Sequence, residues 1–279
     1  MSFREIMVTL EPGPALERRM LHAADLALSH EAHLVGLSVI EPLNLAAYFS
    51  PGLEAIIEIE ERHLRAAENA ARKVEAAFLA ICARLGISSE WRLGKGDPAD
   101  VTVEHARYAD LTIVGQVNPE NPPPGTAATL PERLVLTSGR PVLVIPYVGH
   151  YETIGSRVLI SWNRTREAVR AVNDSLPMLT RAQRVIVLSI NPDQGDVASN
   201  PPGADVAHHL ARHGVTVETS YTVAQDIAVG SAILSRASDL GADLIVMGCY
   251  GHSRFRELIL GGASREILGH MTVPVLMSH

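Results

Sequence analysis

The chain has 279 residues, the length of about two average domains, with one large domain as the alternative. Its 47% hydrophobic and 20% charged residues are enough to bury a core, which excludes a disordered or collagen-like chain. Twenty-four basic against 31 acidic side chains leave a net charge of −7, so no global basic field is present to recruit a nucleic acid or an anionic membrane.

In chain order, REIMVTL at 4–10 is the first expected strand, and Leu16 and Met20 mark the helix behind it. LSVIEP at 37–42 is the second strand. The segment 43–65, PLNLAAYFSPGLEAIIEIEERHL, has a Pro-Gly break and then an alanine-rich, acidic stretch. It predicts a lengthened surface helix, with an interaction surface or lid as the alternative. ADLTIVG at 109–115 and PVLV at 141–144 follow. The polar, glycine-containing 147–156, YVGHYETIGS, shows no periodicity and is expected to join a first half, 1–150, to a second, 151–279.

The same order then recurs. RVLISW at 157–162 matches the first strand, LSINP at 188–192 the second, ADLIVMG at 242–248 repeats ADLTIVG, and PVLM at 274–277 repeats PVLV. Ala109 to Pro141 and Ala242 to Pro274 are both 32 positions, a spacing that chance matching rarely preserves. Leu37 to Ala109 spans 72 positions and Leu188 to Ala242 spans 54, so the first half carries an insertion of 18, placed in 43–65. Val169, Val172, Leu176 and Leu179 step by three, four and three and are expected on one buried helical face, with Pro177 near that helix's end. Ile233, Ala237 and Leu240 give a weaker stripe. Strands rich in Val, Ile and Leu that alternate with single helices predict an α/β fold with a doubly wound parallel layer in each half.

The strand ending at Gly248 is followed by Gly251, then by nine residues, then by Gly261 and Gly262, with a helical pattern starting at Ala263–Ser264. Glycine admits close approach of a ligand to the backbone, and free amides at a helix start favour phosphate oxygens, so this spacing suits a polyphosphate. An ordinary loop is the plain alternative.

This pattern, with ADLIVMG before it, VPVLM after it and SWNRTREAVRAV at 161–172, resembles the nucleotide-binding signature of the universal stress protein family, and GDPADVTVEHA at 96–106 is similar to another family stretch. The whole chain resembles the tandem members. That resemblance implies five-stranded parallel sheets of order 3-2-1-4-5 with an adenine nucleotide across the strand ends, where strand order reverses. It carries the phosphate-binding glycines to Gly248, Gly251 and Gly261, puts Gly262 where the family usually has Ser or Thr, and aligns Ser264 with a common hydroxyl residue. Asn163 stands where the family usually has Asp for the ribose or adenine, and Ile190 where the backbone meets adenine. The ligand implied is ATP, or ADP or AMP, with Mg2+ as an accompanying ion. The resemblance also implies pairing of the halves through their final strands and a further homodimer.

In the first half the fixed separation sets Gly115 against Gly248, Asn118 against Gly251, Ala128 against Gly261 and Pro131 against Ser264, while Glu11 takes the acidic position of the first strand. Prolines in 118–131 remove amide donors, so a degenerate, structural first site is expected. Arg254 and Arg256 are candidate phosphate contacts, with solvated side chains as the alternative. Cys249 reads as a buried inert thiol rather than a sensor. His209 and His213 share a helical face but lack a third metal ligand, and GHSRF at 251–255 fails the G-x-S-x-G pattern.

The expectation is a cytoplasmic, regulatory stress-response protein that binds an adenine nucleotide in its second half and at most hydrolyses ATP slowly. A nucleotide-free module for an unknown protein partner is the alternative. Cys82 and Cys249, without zinc or redox spacing, fit a reducing compartment, and the lack of a signal-like apolar core or an 18-residue apolar run predicts neither secretion nor membrane spanning.

Overall fold

The structure, a computed structural model, describes residues 2–43, 53–120, 129–149, 151–192, 201–249 and 262–279. The first half runs β1 (Glu5–Thr9), α1 (Leu16–His30), β2 (His33–Ile40), α2 (Leu53–Leu85), β3 (Ser89–Lys95), α3 (Pro98–Ala106), β4 (Leu111–Gly115), α4 (Leu130–Thr137) and β5 (Val142–Ile145). The second runs β6 (Arg157–Ser161), α5 (Arg166–Leu179), β7 (Arg184–Ile190), α6 (Ala204–Arg212), β8 (Val217–Thr222), α7 (Val229–Asp239), β9 (Leu244–Gly248), α8 (Gly262–His270) and β10 (Val275–Ser278).

Each half orders its strands 3-2-1-4-5, all parallel, and the two final strands pair antiparallel, Leu143 opposite Leu276. One ten-stranded sheet results, β3-β2-β1-β4-β5-β10-β9-β6-β7-β8. Because β5 and β10 run in opposite directions, the carboxyl ends of the two halves face opposite ends of the molecule. One core layer lies under α1, α2, α5 and α6, the other under α3, α4, α7 and α8. Strands such as Val142–Ile145 are buried at every residue, the pattern of a parallel layer covered on both faces.

The repeated Ala-Asp dipeptide has one structural job in both halves. Asp110 accepts from the backbone N–H of Arg4 (2.7 Å) and Glu5 (3.1 Å). Asp243 accepts from Gly155, Ser156 and Arg157 N–H, at 3.1, 3.0 and 2.8 Å, and from the Thr153 hydroxyl at 2.6 Å. Each aspartate therefore satisfies amides at the entry to the first strand of its half.

Across the junction, buried Gln116 donates to the Leu268 carbonyl at 2.8 Å and accepts from Tyr147 N–H at 3.2 Å. Arg18 on α1 donates to the carbonyls of Pro146, Tyr147 and Gly149, fastening the connection between the halves.

Two expectations about helices meet the structure differently. The lengthened helix of 43–65 is present from Leu53 onward as part of the 33-residue α2, about 50 Å long, against nine residues in its counterpart α6. Residues 44–52 of that segment lie outside the described residues. Ion pairs one turn apart, Glu58–Arg62 and Glu61–Arg65, support the added turns. The stripe on α5 needs a correction: Val169 is 46% exposed, while Ala168, Ala171, Val172, Leu176 and Leu179 are buried. The buried face is set by the small alanines that let α5 approach the sheet, and Val169 falls about 100° away from Ala168. Pro177 lies inside α5, close to its end.

Candidate functional site

The carboxyl ends of β6 and β7 enclose a cleft of about 240 Å³, lined by residues that include Trp162, Asn163, Arg164, Ser189, Ile190 and Asn191. Asn163 and Ile190, 27 positions apart in sequence, thus share one wall-to-wall space. The turn that presents Asn163 is built locally. Its Oδ1 accepts from Thr165 N–H (3.2 Å) and Oγ1 (2.8 Å), Arg164 takes a left-handed φ of 62°, and Thr165 Oγ1 caps α5 by accepting from Ala168 N–H at 3.2 Å. The Asn163 amide nitrogen makes no hydrogen bond among the described residues and keeps its two donors. On the far wall, Asn191, with φ 49°, exchanges two hydrogen bonds with the Ala224 backbone and so ties the end of β7 to the chain beyond β8.

Gly248 ends β9, the strand that pairs with β6 on the side away from β7. A Cβ there would fall on the backbone of Glu167 and Ala168, so the first turn of α5 packs directly on this glycine. Glu167 is buried, and Arg166 pairs with it at 3.0 Å. Burial pulls its carboxyl upward, but its own backbone N–H, the Arg166 guanidinium and His279 outweigh that and hold it below the ordinary carboxylate range. Two amides of the first turn of α5 are thereby engaged, Ala168 N–H by the Thr165 hydroxyl and Glu167 N–H by its own carboxylate.

Gly262 opens α8, is exposed, and has open space where a Cβ would project. Ser264, two residues on, is 3% exposed and hydrogen-bonded to the Cys249 side chain. Cys249 is fully buried, and burial pushes its thiol up to about 12, against a smaller opposing effect of Ser264. Gly251, Gly261, Arg254 and Arg256 lie outside the described residues. The structure therefore brings together Asn163, Ile190 and Gly248 at one sheet end.

In the first half the space beside Gly115, the glycine aligned with Gly248, is filled by a side chain. Arg19, 5% exposed, donates from Nε to the Thr9 carbonyl at 2.8 Å and from Nη2 to Glu11 Oε2 at 2.6 Å, and its guanidinium occupies the space beside Gly115. Sequence reasoning picked out Glu11 and Gly115 but missed Arg19. A charged residue in the second turn of a helix ordinarily reads as solvated, and only the glycine across from it hints at an inward side chain. Glu167 was missed for the same reason. Of the remaining candidates, Asn118 accepts from Glu120 N–H within its own turn, Pro131 lies in α4, and Ala128 is outside the described residues. The His209 and His213 rings lie 4.8 Å apart, and no group of three or more metal-ligating side chains gathers among the described residues. No helix among those residues is long and apolar enough to cross a membrane.

The profile of the universal stress protein family matches residues 2–146 and 178–279. The structure of a universal stress protein from Archaeoglobus fulgidus superposes with a TM-score of 0.74 at 16% identity, over 98% of this chain and 97% of that one. A functionally unknown protein from Pseudomonas aeruginosa superposes at 0.59 and 16% identity, over 99% and 92%. In sequence, a universal stress protein of Synechocystis sp. is 27% identical over 149 residues, 52% of this chain and 49% of that protein, so the match spans about half the length of that relative. A family profile matched in both halves, and two halves that each order their strands 3-2-1-4-5, make this chain a tandem member of the universal stress protein family.

Proposed function

We propose that the second half binds an adenine nucleotide, ATP, ADP or AMP, and that occupancy regulates what the surrounding surface presents to a protein partner. The observation that carries this is the cleft of about 240 Å³ in which Asn163 and Ile190 meet. Trp162 and Ile190 offer apolar surface for a base, while the free Asn163 amide donors suit a sugar hydroxyl or a ring nitrogen. Two amides at the start of α5 are engaged, and an anionic tail is expected to rest instead on the segment 249–262 and the start of α8. Mg2+ would accompany the phosphates as a counter-ion. Nothing in the cleft has the arrangement of a base poised on a nucleophile, and the reading is of a binding protein with at most slow turnover. It is further proposed to be cytoplasmic and to form a homodimer.

A second reading, a nucleotide-free protein-interaction module, is favoured by one observation: the backbone of Glu167 and Ala168 packs directly on Gly248 and closes that side to a phosphate. Titration of the full chain with ATP, ADP and AMP in the presence of Mg2+ separates the two. The leading reading expects saturation at one nucleotide per chain, weakened about tenfold or more by Ile190→Trp, which fills the cleft, and by Gly251→Val. No binding at millimolar nucleotide supports the module instead.

A further inference from the structure

The first half has a larger cavity, about 410 Å³, near the outer edge of its part of the sheet. It lies between the carboxyl ends of β2 and β3 and the inserted turns of α2, which supply Glu60, His63 and Leu64. Among the described residues the nine-residue α6 of the second half has no such turns.

Its chemistry is lopsided. Ile40, Pro42 and Leu64 give apolar wall. Both cationic or potentially cationic neighbours are engaged: Lys95 Nζ donates to Glu68 Oε1 at 2.9 Å, and His63 Nε2 lies 3.1 Å from the Glu41 carbonyl oxygen. The carboxylates of Glu41 and Glu60 make no ion pair or side-chain hydrogen bond among the described residues. An apolar hollow edged by two uncompensated negative charges disfavours carboxylates and phosphates, and it complements an alkyl group that ends in a cation.

We infer that this cavity binds a small aliphatic amine or quaternary ammonium compound, with its alkyl part against Ile40, Pro42 and Leu64 and its cationic head at Glu41 and Glu60. The inference is independent of nucleotide binding, since the two clefts sit at opposite ends of the ten-stranded sheet.

The test is calorimetric titration of the full chain at pH 8 and low salt with octyltrimethylammonium, octanoate and octanol, each below its aggregation concentration. Octyltrimethylammonium is expected to saturate at one per chain, about tenfold or more tighter than octanoate. Glu41→Gln combined with Glu60→Gln is expected to remove that preference while leaving octanol unchanged. Leu64→Trp, which fills the space, is expected to abolish binding of all three, and Ile190→Trp to change none of them. Circular dichroism checks that each variant is folded. No saturable binding of the ammonium probe, octanoate binding as tight, cation affinity unmoved in the double variant, or loss of binding in Ile190→Trp would each overturn the inference.

Discussion

The Arg19 guanidinium packs against Gly115 in the first half, at the place where, in the second half, the backbone of Glu167 and Ala168 packs against Gly248. Two glycines aligned by sequence spacing thus make room for different things, a flexible side-chain end in one case and rigid helix backbone in the other. Alanine should report the difference. Gly115→Ala lets the guanidinium shift and is expected to cost about 1 kcal/mol, whereas Gly248→Ala has no such relief and is expected to cost about 3 kcal/mol. Gly262→Ala, in open space at a helical position, is expected to be neutral or to stabilise by up to about 1 kcal/mol. Urea denaturation of the three variants checks the order.

The paired aspartates make a second graded prediction. Asp243 receives three amides and a hydroxyl, and Asp110 receives two amides. Hydrogen bonds to a charged group are worth more than neutral ones, so Asp243→Ala is expected to cost about 3 kcal/mol and Asp110→Ala about half of that. The same denaturation measurement decides it, and equal losses would mean that the backbone of one half relaxes to water.

Much of this architecture is legible in the sequence. Five-residue apolar runs at matched spacing, Leu111–Gly115 and Leu244–Gly248 above all, identify the duplicated parallel layer, because a strand covered on both faces has no polar alternation to hide it. The 18-residue difference reads out as the longer α2. The hidden parts are those in which size or charge misleads. Val169 fits the apolar stripe, yet the small Ala168 and Ala171 set which side of α5 meets the sheet. Arg19 reads as a solvated residue near a helix start and instead fills the space beside Gly115, and Glu167, which reads the same way, is buried. Glycine spacing shows where backbone comes close, but not to what.

His30 gives the fold a defined response to acid. It is 3% exposed, packs on the Phe3 ring and lies beside Ser2 Oγ. Burial first, and the Arg181 charge second, lower it from 6.5 to about 4. The unfolded chain then binds a proton between these values that the folded chain does not, so stability rises with pH across that window. The contribution is complete above about 6.5 and is lost as pH falls toward about 4. His30→Asn should flatten this part of the stability profile in denaturation series at pH 7.5, 6, 5 and 4.5, and an unchanged slope would assign the acid response to other groups.

Cys249 closes the question of a thiol switch at the glycine loop. A thiol becomes reactive when its thiolate is favoured and reachable, and neither holds here. The side chain is fully buried, Ser264 bonds to it, and burial pushes it up to about 12; Cys82 is also buried and raised in the same direction by burial. Native protein at pH 8 is expected to resist iodoacetamide at both positions, and denaturant is expected to release two reactive thiols per chain. Ser264→Ala should leave Cys249 equally unreactive, because burial rather than the hydroxyl dominates its state. Rapid labelling of Cys249 in the native protein would show that the strand end at Gly248 opens readily, and would return the thiol to the set of functional candidates.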